Sequence, residues 1–208
     1  MTNVAIVGAG GFGKEVNLIV QQLIKKGYNY HFLGFFDDRD LSASLGKNYL
    51  GSIEKLNNWS NEISVAIAIG DGQIRKKVRE RITNPKVSFL TLISPKAILN
   101  DIIRIGEGSI ICAGANLTTE IELGEFVLIN LNATVGHECQ LNDFCSIMPG
   151  ANLAGEVKVL REGFVGSGAN ILNGLTIGEK SVLGTGSVLT KDLPDGKVAY
   201  GVPAKIIE

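Results

Sequence analysis

Three stretches of this 208-residue chain carry residue types that can do chemistry. The first is the pair His137–Glu138. A neutral imidazole is the usual side-chain base near neutral pH, and a neighbouring carboxylate can hold its tautomer and raise its basicity. On an arbitrary surface such a pair is ordinarily just solvated, so its weight depends on the scaffold that carries it. The second stretch is Gly8-Ala9-Gly10-Gly11-Phe12-Gly13, a G-x-G-x-x-G run, with Asp37 and Asp38 following further on. Such glycines let phosphates approach backbone N–H groups at a helix N-terminus, and acids after the second strand sit where a ribose is held. The third is Ala68-Ile69-Gly70-Asp71 with Arg75 beyond it, at the end of a later strand.

The elements around His137 are set by a repeat of six. Seventeen aliphatic residues, from Ile93 through Ile111, Ile129, Val135 and Leu153 to Leu189, recur at that interval without a break. Neither a helix nor an alternating strand requires this period, whereas a parallel β-helix does, each hexad forming one side of a coil. Two positions earlier the residue is usually small or β-branched (Ala115, Ala133, Cys139, Cys145, Ala151, Ala169), and both positions point inward. The residue after each aliphatic is often Gly or Asn (Gly106, Gly124, Asn130, Gly136, Gly166, Gly184), and is expected to take up strained backbone at a corner. His137 and Glu138 then fall on a corner. Thr119 and Glu120 lie one coil before them, Gly155 and Glu156 one coil after. The absent side chain at Gly155 leaves room beside the imidazole. The stacked acids Glu120, Glu138 and Glu156 require a basic partner or a retained proton.

The glycine run and the paired acids belong to the first ninety residues. Strands are expected at 3–8, 32–36, 65–69 and 87–90, and helices at 11–26 and 72–83, which make a small parallel α/β unit. The unit is about half a full dinucleotide domain, and no second catalytic domain follows. A mononucleotide or nucleotide-sugar site is therefore favoured over NAD. The division reads as a Rossmann-like domain over residues 1–92, a β-helix over 93–190 and a C-terminal tail over 191–208.

Composition narrows the function. A formal net charge of −1 offers no footprint for nucleic acid, and no apolar run approaches a membrane span. With no signal-like start, a cytoplasmic protein is the expectation. Three cysteines without a C-x-x-C give neither a disulfide framework nor a zinc knuckle, and Cys139 and Cys145 read as core filler. Of two histidines only His137 is on the β-helix; His31 is expected at the surface. A catalytic zinc takes three protein ligands, so no metal is expected.

The pattern of aliphatic, Gly or Asn, and small residue looks like that of the hexapeptide transferases, whose coil is left-handed. Along nearly the whole chain VAIVGAGGFGKEV, FFDD, AIGDGQIRKKV, NATVGHECQLNDF, GANLAGEV and GVPAKII, in that order, resemble the NeuD/PglD group of bacterial sugar acetyltransferases. The resemblance implies acetyl-CoA as donor, a homotrimer, and a site in the groove between neighbouring β-helices. The acceptor would be a nucleotide-linked 4-amino-4,6-dideoxyhexose or, in the O-acetyltransferase alternative, sialic acid or another sugar hydroxyl. His137 matches the base, Glu138 its orienting acid, and Asn130 a polar residue near the reacting centre. Gly8, Gly10, Gly11, Gly13, Asp37, Asp38, Gly70 and Arg75 match the nucleotide-holding region. Gly166, Ser167, Gly184 and Thr185 match the face along which the pantetheine arm lies, and the Gly155 amide suits an oxyanion. Close relatives place a second His near the acetyl carbonyl, where this chain has Ser146. A trimer that merely binds a nucleotide-sugar is the non-enzymatic alternative, against which the intact His137–Glu138 pair stands.

Overall fold

The computed structural model describes residues 1–207. The first domain runs β1 (Thr2–Val7), α1 (Gly11–Lys25), β2 (Tyr30–Phe36), α2 (Ser42–Leu45), β3 (Tyr49–Gly51), α3 (Ile53–Asn57), β4 (Ile63–Ile67), α4 (Gly72–Arg81) and β5 (Val87–Phe89). Its strands form one parallel sheet in the order β3-β2-β1-β4-β5. The chain turns to one side of β1 first and to the other side later, so the carboxyl ends of β1 and β4 flank a switch point, where such sheets leave a crevice. The expected helices and long strands are present with ends shifted by a residue or two. The three-residue β3 and the short α2 and α3 were not expected; they are too short to show a period.

From Leu92 onward the chain winds into a left-handed parallel β-helix. Face I stacks Leu92–Ile93, Ile110–Ile111, Leu128–Ile129, Ser146–Ile147, Phe164–Val165 and Val182–Leu183. Face II stacks Ile98–Leu99, Asn116–Leu117, Thr134–Val135, Asn152–Leu153, Asn170–Ile171 and Val188–Leu189. Face III stacks Ile103–Ile105, Ile121–Leu123, Gln140–Leu141, Lys158–Val159 and Thr176–Ile177. Register is strict: Leu117 pairs with Val135, Val135 with Leu153, and Leu153 with Ile171. Every hexad aliphatic from Ile111 to Leu189 is buried, and the small residues two positions earlier fill the same core. The stretch from 191 on, expected as a tail, continues the prism. Leu193 and Ala199 join the core, and Val198–Gly201 extends face I beside Val182–Leu183, with Ala204–Ile206 folded back on it antiparallel.

The corners correct one expectation. Left-handed backbone is found not at the residue after each aliphatic but two further on, at Ile102, Gly108, Gly114, Glu120, Phe126, Asn132, Glu138 and every sixth residue to Gly186. The glycines just after the aliphatics are needed for a different reason. A Cβ on Gly136 would stand 2.7 Å from the Ala154 carbonyl carbon and the Gly155 nitrogen, and one on Gly166 would meet Gly184 and Thr185. These positions press against the next coil, so they exclude side chains by contact and not by φ.

The first domain docks on face I. Helix α1 and the sheet bury Val16, Ile19, Val20, Leu23 and Phe35 with Leu92, Ile110, Cys112 and Leu128. Phe126 and Phe144, on the corner between faces III and I, stack at 5.0 Å between centroids, and Phe89 of β5 closes edge-on against Phe126.

Two corner glycines should therefore respond unequally to substitution. Gly136→Ala should cost about 1–3 kcal/mol by overpacking although its φ is ordinary. Gly174→Asn, at φ 71 with open space around it, should cost less, since Asn tolerates that backbone. Urea midpoints of the two variants check this.

Candidate active site

His137 and Glu138 occupy the corner between faces II and III. His137 Nδ1 lies 2.8 Å from Glu138 Oε2, and both side chains are 55% exposed. With Nδ1–H donating to the carboxylate, Nε2 keeps its lone pair, as a base requires. Glu138 has φ 59, and this left-handed turn carries its carboxylate beside the preceding side chain. A Cβ at position 155 would fall on the imidazole, so the ring rests over Gly155. Gly155 N–H has no backbone acceptor among the described residues. His137, Glu138 and Glu156 present ligand atoms within 4.8 Å of one another. The other acids of this column do not acquire a basic partner among the described residues: ion pairs form around Glu122, Asp143 and Glu162 instead.

The glycine run forms the turn between β1 and α1. Gly8 has φ 99, and a side chain on it would press on the Ala68 carbonyl; one on Gly13 would strike the Gly8 carbonyl. Gly10 and Gly11 border open space. Helix α1 begins after Gly10 with no side-chain cap and no acid in its first turn, whereas Ser52 caps α3 and Asp71 caps α4. The N–H groups of α1 are thus left for a ligand, in the electrostatic sense that favours an anion.

The paired acids are not free carboxylates. Asp37, 9% exposed, accepts from Ala9 N at 2.9 Å and from the Arg39 guanidinium through two bonds of 2.8 Å. Those hydrogen bonds to Arg39 chiefly hold its pKa down to about 2. Asp38 accepts from Ile53 N at the start of α3 and pairs with Arg81 at 2.7 Å. Asp37 therefore braces the glycine turn. Arg39 and Tyr49, whose hydroxyl donates to the Asp37 carbonyl, complete that brace and had no signal in the sequence beyond proximity to the acids.

Arg75 and Ser146 depart furthest from expectation. Arg75 is 2% exposed and lies at the interdomain contact, not in the crevice. Its guanidinium donates to the carbonyls of Phe126, Ile69, Gly70, Phe144 and Cys145 and to Ser146 Oγ. Among the described residues no carboxylate bonds to it, and burial lowers its pKa to about 10. Ser146, fully buried, donates to the Gly70 carbonyl at 2.7 Å. Neither side chain can face a ligand in this arrangement, because every donor is committed to the protein. Beside them Lys76 of α4 pairs with Glu162 at 2.9 Å.

Asn130 is buried at the corner between faces I and II, its Oδ1 accepting from Leu131 N at 2.7 Å. Gly166, Ser167, Gly184 and Thr185 continue that same corner, with the Tyr200 ring over Gly184. Within one chain these residues are separated from His137 and Gly155 by the width of face II. All three thiols are buried, and burial pushes Cys139 up to about 11 and Cys112 and Cys145 up to about 12, which makes them poor nucleophiles.

Comparison with known proteins bears on what this arrangement is. Residues 3–82 match the model of the PglD N-terminal domain. The acetyltransferase domain of PglB from Neisseria gonorrhoeae FA1090, solved with acetyl coenzyme A, superposes with TM-score 0.90 at 32% identity, over 99% of this chain and 98% of that one. The chain belongs to the PglD-like family of sugar acetyltransferases. PerB from Caulobacter crescentus, solved with CoA and GDP-perosamine, resembles this PglD-like chain with TM-score 0.87 at 32% identity, over 100% and 98% of the two chains. Among curated proteins, a UDP-N-acetylbacillosamine N-acetyltransferase of Bacillus subtilis (strain 168) is 35% identical over 117 residues; the match spans 54% of this chain and about half (52%) of that relative.

The bracing role of Asp37 has a pH signature. Its folded pKa is depressed, so its contribution is present above the unfolded value near 3.8 and is lost as pH falls through about 2. Asp37→Asn should cost about 1–2 kcal/mol near neutral pH. The gap in thermal midpoint from the wild type should close between about pH 4 and pH 2.

Proposed function

We propose that this chain is an acetyl-CoA-dependent N-acetyltransferase acting on a nucleotide-linked 4-amino-4,6-dideoxy sugar, in the cytoplasmic steps of bacterial surface-glycan biosynthesis. The observation that carries this reading is the exposed His137–Glu138 pair, with Nε2 unbonded among the described residues and the ring seated over Gly155. The amine attacks the thioester carbonyl while Nε2 accepts its proton, and Glu138 holds the ring and stabilises the imidazolium. The free N–H of Gly155 lies on the same corner and suits the tetrahedral oxyanion. The uncapped start of α1, beside Gly10 and Gly11, suits the acceptor's phosphates. Among the described residues, no helix is long and apolar enough to cross a membrane.

The fold also supports a shared site. The first domain borders the corner between faces I and II, where Leu131 and Met148 pack against the cluster that includes Phe12. His137 is at the other edge of face II. A threefold arrangement with face II inward brings the His137 corner of one chain against the Asn130–Gly166–Gly184 corner of the next. Acceptor, donor arm and base then meet in one groove, which no single chain assembles.

Two measurements test the proposal. His137→Ala should lower turnover of a nucleotide-linked amino sugar by roughly 10²–10⁴ with acetyl-CoA binding retained; near-normal thiol release would remove His137 from the mechanism. Light scattering at micromolar concentration should return the mass of three chains, and a monomer would deny the shared groove. If wild-type protein ignores amino sugars and acetylates free sialic acid, the O-acetyltransferase reading takes its place.

A further inference from the structure

We infer that Glu156 is a second carboxylate of the reaction, which recruits the acceptor as an ammonium ion; this rests on reading the chain as an amino-sugar N-acetyltransferase. Glu156 stands one coil beyond Glu138 on the same corner. Its N–H donates to the His137 carbonyl at 2.7 Å, and its φ of 61 turns the side chain out of the prism. A carboxylate oxygen of Glu156 lies within 4.8 Å of both an imidazole nitrogen and a Glu138 oxygen. Glu138 is engaged by His137 Nδ1, whereas Glu156 has neither a hydrogen bond nor an ion pair to its side chain among the described residues. Some acids of the prism are matched, Glu122 by Arg104, Asp143 by Arg161 and Glu162 by Lys76, whereas Glu156, like Glu120 two coils before it, has no basic partner among the described residues; of these two, Glu156 is the one beside both the imidazole and Glu138. An uncompensated carboxylate next to a second one and a base makes a local well for a cation.

The chemistry of the acceptor supplies that cation. A primary sugar amine is largely protonated near neutral pH, and a hydroxyl is not. The ammonium form must lose one proton to the medium before its lone pair can attack. When the N–C bond forms and the C–S bond breaks, a second proton passes to His137 Nε2 and the leaving thiolate ends as the thiol. Overall, ammonium and thioester give amide, thiol and one released proton. The product amide is neutral, so the attraction that brought the acceptor in does not retain the product. Glu156 thereby favours amines over hydroxyls at a corner whose base would serve both.

Steady-state kinetics with a nucleotide-linked 4-amino sugar and acetyl-CoA, run in EDTA, separate the possibilities. Glu156→Gln should raise the acceptor KM roughly three- to fivefold at low salt, the size of an exposed ion pair. The difference should shrink at high salt, and Glu156→Asp should recover part of it. The acetyl-CoA KM and inhibition by the free nucleoside diphosphate should not move. An unchanged acceptor KM in Glu156→Gln, with the wild type active, overturns this role alone. An equal loss for the free nucleoside diphosphate also overturns it, because the effect would not lie at the amine. Loss of wild-type activity under chelation would assign the three side chains to a metal ion and overturn it too. A wild type that acetylates no amino sugar, with or without EDTA, removes the parent reading and this role together.

Discussion

Coil stacking is the constraint from which the rest follows. Each backbone rung hydrogen-bonds to the rung eighteen residues on, as Thr134 does to Asn152 and Asn152 to Asn170, so every position on a coil has a fixed neighbour above and below about 4.8 Å away. A corner side chain is thus placed by its neighbours' sizes as much as by its own rotamer. His137 lies where it does because position 155 is glycine. The left-handed turn at each corner, which a non-glycine residue adopts at a cost of about 1–2 kcal/mol, is imposed by the same stacking and is what aims Glu138 at the ring.

The second constraint is the joint between domains. A buried guanidinium without a carboxylate is costly unless its donors are satisfied. Arg75 meets that condition with five carbonyls and one hydroxyl, drawn from both domains. Lysine offers no planar fork to reach so many acceptors. The contact fixes the glycine turn on the side of the prism away from the His137 corner. It also keeps the glycine turn and His137 apart within one chain.

What could be read from the sequence followed from periodicity. The hexad named the core residues from Ile111 to Leu189 and put His137, Glu138 and Gly155 on one corner, because an interval of six leaves little freedom in where a side chain points. Alternation of strand and helix gave the parallel sheet. What escaped was the reason for particular residues. The corner glycines were read as strain when they mark close approach of the next coil, a distinction that depends on the packing of Gly136 against Ala154 and not on residue type. Arg75 and Ser146 looked like ligand contacts because they follow a strand end and a family position. Their partnership spans 71 residues and has no local signature. Asp37 was placed correctly at the glycine turn, but its bonds to Ala9 and Arg39 make it a brace.

The prism also works as a ruler. The Arg75 joint grips the coils carrying Phe126 and Phe144, and His137 lies on that same stretch of the axis. Beyond Glu162, which pairs with Lys76 of the first domain, the coils through Gly166 and Gly184 carry neither the Arg75 contacts nor His137. Each coil there is an increment of about 4.8 Å, so excising or inserting a whole coil in that segment changes the length of the prism and leaves the distance from the first domain to His137 as it was. Chain length past residue 162 is thus a dimension that can vary independently of the joint and of the His137 corner, in steps set by the backbone alone.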